Sequence, residues 1–160
     1  MSNRNIRPFV SATITLIIFV VVPYLLPEYI PPNIDRLIVE SGIDLDWFLN
    51  QIMVVGAVTA AITLVKGLAG KTSPVWLLAS LAQNVSSLVF TLILLGAGDI
   101  LSLGVVELTM ETEKATNFIT MNTRVFVYLS IEVVALSMIR SYLSWREACI
   151  EAAPPGRIPA

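Results

Sequence analysis

Between Lys71 and Asp99 the chain reads TSPVWLLASLAQNVSSLVFTLILLGAG, residues 72–98, twenty-seven positions without a charge. A helix needs about 20 predominantly apolar residues to cross the hydrocarbon core of a bilayer. This run is long enough. Within it Ser80, Gln83, Asn84, Ser87 and Thr91 follow a spacing of i, i+3, i+4, i+7, i+11. At about 100° per residue they share one face. Leucine, valine, phenylalanine and isoleucine fill the rest. A polar stripe of that length is excluded from lipid, where an unsatisfied polar group costs several kcal/mol. It meets either other helices or water.

Working outward, twenty uncharged residues separate Arg7 from Glu28, and nineteen separate Asp46 from Lys66. Val125 to Ile139 is apolar apart from Ser130, Glu132 and Ser137, with Arg124 and Arg140 flanking it. The expected fold is therefore an all-α integral membrane protein with four transmembrane helices, at about 8–26, 47–67, 74–96 and 124–143. Residues 1–150 form one four-helix domain and 151–160 a disordered cytoplasmic tail. The first run is too long for a signal-peptide core and ends in Pro23 and Pro27 in place of small residues, so it reads as a retained helix with a kink or early stop near Pro23.

Basic residues orient the spans. Arg4, Arg7, Lys66, Lys71, Arg140, Arg146 and Arg157 fall on one side, leaving Arg36, Lys114 and Arg124 on the other. The positive-inside rule then puts both termini in the cytoplasm of a multi-pass cell-membrane protein. An even number of spans agrees. Nine acids gather on the outer side, from Glu28 to Glu113.

In the first outer loop Pro31-Pro32 is followed by Ile34, Leu37 and Ile38 at helical spacing, which reads as a short interfacial helix ending at Ser41-Gly42. Asp44 or Asp46 is placed to cap the second span, and Trp47 to anchor it at the interface. The second outer loop, 97–122, is long and threonine-rich, and its form is left open between a short helix, a lid and a cap made with neighbouring subunits.

The second span carries its own polar face, with Gln51, Thr59, Thr63 and Lys66 inside an arc of about 120°. Gly56 with Ala60, and Ala57 with Ala61, are small-residue pairs that let helix backbones approach closely. In the fourth span Glu132 stands midway between Arg124 and Arg140. A charged side chain at a helix centre costs about 2.5–3.5 kcal/mol on the translocon insertion scale. Three placements accommodate it: hydrogen-bonded to the Gln83/Asn84 stripe, paired with a cation such as Lys66, or facing a hydrated path.

The 160 residues are 56% hydrophobic and 14% charged, with no histidine and one cysteine, Cys149. Histidine general bases, intramolecular disulfides and dithiol redox centres are thereby excluded. No nucleotide loop, metal motif or nucleophile–base pair appears, so no enzyme activity and no cofactor or metal is expected. The sequon Asn84-Val85-Ser86 falls inside a span and is discarded. With a net charge of −2 and no basic cluster, no nucleic-acid partner is expected.

Four thin helices leave little room for a transport path inside one protomer. The expectation is a homo-oligomeric channel or pore for ions or small solutes, leaning towards cations. Its path is lined by Ser80, Gln83, Asn84, Ser87 and Thr91, with Glu132 setting the preference. One alternative is a non-catalytic accessory or scaffold subunit associated with other membrane subunits. A second is a small proton-coupled transporter working through Glu132. Membrane lipid is a partner in each case.

Overall fold

A computed structural model describes residues 6–32, 34, 38, 43–96, 98–99, 101, 104–112 and 115–153. Four helices in it are long and apolar enough to cross a membrane: α1 (Ile6–Tyr29), α2 (Leu45–Leu68), α3 (Pro74–Leu95) and α4 (Arg124–Glu151). By length and composition the chain is a multi-pass membrane protein. Most of the expected interfacial helix at 32–40 lies outside the described residues, as do residues 154–160 of the tail.

The all-α expectation needs one correction. Among the described residues of 97–122, β1 (Val105–Thr112) and β2 (Ala115–Asn122) form an antiparallel hairpin, paired from Val105↔Asn122 to Thr112↔Ala115. The cause is local. Glu107, Thr109 and Glu111 alternate with Val106, Leu108 and Met110, a two-residue period rich in strand-forming types. Thr123 ties the hairpin to the helices. Its N–H and its hydroxyl both donate to Gly104 O, at 2.7 and 2.8 Å, and its hydroxyl also reaches Leu95 O at 3.4 Å. Gly104 has φ +81°, and a Cβ there would lie 2.6 Å from Thr123 Oγ1. Only glycine meets both conditions without strain.

Helix ends follow their stop and start chemistry. Asp44 caps α2 by accepting from Trp47 N at 2.9 Å, and Ser73 caps α3 ahead of Pro74. The first span does not stop at Pro23. It opens into one π-helical turn, Ile17–Val21, and continues to Tyr29. Pro23 has no N–H to offer the carbonyl of Phe19, and its ring crowds that carbonyl, so the turn widens. The fourth helix runs past 143 to Glu151 because no glycine or proline interrupts it before Pro154. Hydropathy ends there; helix-forming capacity does not.

The helices form a row. α1 lies on α2, α2 on α3 and α3 on α4, with Phe19 reaching Phe90 edge-on at 4.9 Å to bring α1 over α3. Gly56 and Ala60 are buried. A Cβ on Gly56 would collide with the Phe19 side chain and sit 2.9 Å from its carbonyl oxygen. The glycine thus lets α2 approach the carbonyl to which Pro23 can offer no N–H. At the far end Gly67 gives the same close approach to Pro8. Pro8, Gly67, the α2–α3 turn and the end of α4 meet at one end of the row, where Trp145 Nε1 donates to Thr72 O at 3.3 Å.

Burial is unequal along the row. In the most apolar stretch of α2 and of α3, 22% of residues are buried, against 6% in α4. Among the described residues α4 makes its extensive contacts with α3 alone. One side of it is packed and the other is open.

Candidate functional site

The polar side chains of α2, α3 and α4 sort into two seams. Between α2 and α3, Thr59 and Ser86 share a hydrogen bond of 2.6 Å, and Lys66 Nζ donates to Gln83 Oε1 at 2.8 Å. The ammonium also lies 5.6 Å from the centre of the Trp76 ring. Thr63 returns its hydroxyl to Thr59 O. Near the hairpin end, Gln51 Nε2 donates to Gly98 O at 2.8 Å, binding α2 to the chain leaving α3. Gln51 Oε1 and the hydroxyl of Ser80, which is 1% exposed, are buried without a partner among the described residues.

Between α3 and α4 the centre is Asn84. Its Oδ1 accepts from Ser137 Oγ at 3.0 Å and its Nδ2 donates to Ser141 Oγ at 3.4 Å. Ser141 in turn donates to Ser137 O. Higher up, Thr91 donates to Ser87 O, and both edge a shallow groove of about 360 Å³ shared with Leu129, Ser130 and Val133. The structure thus brings Gln83 and Asn84 into contacts inside one protomer. Ser137 and Ser141 complete the contacts of Asn84, Ser86 that of Thr59, and sequence reasoning assigned no role to these three serines. The signal was present in α4, where Ser130, Ser137, Ser141 and Ser144 fall on one face.

Glu132 joins neither seam. It is exposed on the protomer and makes no hydrogen bond or ion pair with any described residue. The pairing with Lys66 does not form, since Lys66 is engaged by Gln83; nor does a bond to Asn84, whose amide is taken by the two serines. Helical phase explains this. At about 100° per residue Glu132 lies about 180° from Ser141 and about 140° from Ser137. Its depth is that of a mid-span residue, about 12 Å along the axis from Arg124 and the same from Arg140.

The face around it has a pattern of its own. Val125, Leu129, Glu132, Leu136, Ile139 and Leu143 recur at alternating steps of four and three residues. The five apolar members are 51–67% exposed in the protomer. Such a 3.5-residue repeat is the seam of a left-handed helix pair, in which each side chain inserts between four of the facing helix. A single polar residue in an otherwise apolar seam is the usual means of fixing register and partner number. No protein-family model, curated protein or solved structure matches this chain.

Proposed function

We propose that the chain is a non-catalytic subunit of a homo-oligomeric assembly in the cell membrane. Both termini lie in the cytoplasm, and copies join through the open face of α4. The observation that carries the reading is Glu132: a mid-span acid, without a partner among the described residues, within a heptad of apolar residues. Lipid cannot satisfy it. A second copy in the same membrane brings an identical helix at the same depth, so that a symmetric contact sets Glu132 beside its counterpart and covers both. Hydrogen bonding between helices then adds about 1 kcal/mol per contact to the apolar seam. The rings above and below Glu132 are valine, leucine and isoleucine, which favours a sealed contact. The polar seams of α2 and α3 act in this reading as glue within the subunit.

A second reading, a cation-leaning channel, is favoured by the same acid. A ring of Glu132 carboxyls around an axis, beneath an outer end rich in acids, attracts cations. The path would run along α4 in place of the α3 stripe. One experiment separates the two: two differently tagged copies are co-expressed, and the purified protein is reconstituted for flux. The assembly reading expects each tag to recover the other, weakly in Leu136→Trp, with flux no higher than in empty vesicles. Cation flux that disappears in Glu132→Gln favours the channel, and failure of the tags to co-purify contradicts both.

A further inference from the structure

At the end of the row where α1 begins and α2 meets α3, an open cleft of about 1010 Å³ is bordered by Arg7, Ser11, Lys66, Lys71, Trp76 and Gln83. It has three cationic residues along its edge and no acidic one. Lys66 is half-buried, and its one hydrogen-bond partner among the described residues is the neutral Gln83 amide. An ammonium carries three donors, so two are unused. Partly withdrawn from water and without a counter-ion among the described residues, it is suited to an anion.

A second hollow of about 470 Å³ adjoins it and shares Arg7 and Ser11. The rest of its lining is Ile6, Val10 and Ile14, each about half exposed. These three stand at four-residue steps along α1, a strip of about 12 Å running from the charged end towards the middle of the span. A polar cationic cleft continuous with an apolar strip that leads into the membrane has the two-part chemistry of a phospholipid: an anionic phosphodiester at one end and an acyl chain at the other. Basic pockets between transmembrane helices are established as headgroup sites.

We propose that this cleft is a binding site for an anionic phospholipid, with the phosphate held by Arg7, Lys66 and Lys71, and one acyl chain laid along Ile6, Val10 and Ile14. The site is complete within one protomer and independent of which leaflet that end occupies. Pro8 against Gly67 closes one side of it, and the Trp76 ring lies beneath the Lys66 ammonium.

The test is lipid retention by purified full-length protein from mixed micelles of phosphatidylglycerol and phosphatidylcholine, read by native mass spectrometry. The wild type is expected to retain phosphatidylglycerol selectively, and Arg7→Gln and Lys66→Met each to lower that retention about fivefold. Arg146→Gln, a basic residue on α4 that does not border the cleft, is expected to leave it unchanged. Val10→Trp fills the apolar strip without altering charge and is expected to lower retention as well. A parallel arm follows thermal unfolding with inorganic phosphate in place of lipid. Stabilisation by phosphate equal to that by phosphatidylglycerol, with Val10→Trp silent, would overturn the lipid assignment. Equal retention of both lipids, or no effect of Arg7→Gln, would overturn the site. Arg7 is exposed at the start of α1, so its variant reads the site even where Lys66→Met disturbs folding.

Discussion

Ser137 donates a hydrogen bond to Asn84 Oδ1 across 3.0 Å, and that contact decides which side of α4 faces its own protomer. With Ser141 on the other side of the amide, both polar ends of Asn84 are engaged. Everything half a turn away, Glu132 included, is left facing out.

Replacing Asn84 by leucine removes both interhelical bonds while keeping volume in the seam. The serine hydroxyls still reach carbonyls of their own helix, as Ser141 does with Ser137, so no orphan group is created. The expected loss is about 1 kcal/mol, seen as a lower midpoint in thermal or detergent unfolding. An Asn84→Ala/Ser137→Ala cycle is expected to show coupling, and strict additivity would remove Asn84 as the centre of the seam.

Gly56 is expected to tolerate no side chain. Alanine there meets the side chain, carbonyl oxygen and carbonyl carbon of Phe19, and the backbone atoms cannot rotate away. The cost of such overpacking is about 1–3 kcal/mol. Truncating Phe19 to alanine in the same chain is expected to restore none of the loss, since the atoms met are the Phe19 Cβ, carbonyl carbon and carbonyl oxygen, all of which alanine keeps. Wild-type stability for Gly56→Ala would show that α1 and α2 are not in this close approach.

Gly104→Val joins an unfavourable φ to a collision with Thr123 Oγ1, 2.6 Å from the new Cβ. The consequence is expected at the base of the hairpin and not in the spans. Limited proteolysis checks this: cleavage within 105–122 rises several-fold while the helical fragments stay protected. Thr123→Val, which lacks the hydroxyl donor but keeps its shape, is expected to act in the same direction and more weakly.

How much of this the sequence carries depends on the range of the force involved. The spans were legible because transfer into lipid is a sum over neighbouring residues, and runs such as 72–98 contain no charge. The helix of the fourth span runs on past 143, because apolarity stops there while helix-breaking residues do not begin until Pro154. The hairpin is legible in the alternation from Val105 to Thr112, a strand period, within a loop whose length and threonine content alone leave its form open. Gln83 and Asn84 announced a polar face, but not its partners, which depend on how two helices rotate against each other. Three placements were open to Glu132, one of them against that stripe, and the phase of α4, with Ser137 and Ser141 on one side and Leu136 on the other, sets it opposite. Clefts such as the one around Lys66 combine three helices and cannot be read from any one of them.

Cysteine cross-linking along α4 tests the central claim most directly. In a Cys149→Ser background, Leu129→Cys and Leu136→Cys flank Glu132 on the open face, and Leu78→Cys on α3 is an equally exposed control. Mild oxidation in membranes is expected to give disulfide-linked dimers at 129 and 136, none at 78, and fewer when Glu132 is also changed to alanine. Monomers at both α4 positions, or cross-linking as strong at Leu78, would contradict assembly through the fourth helix.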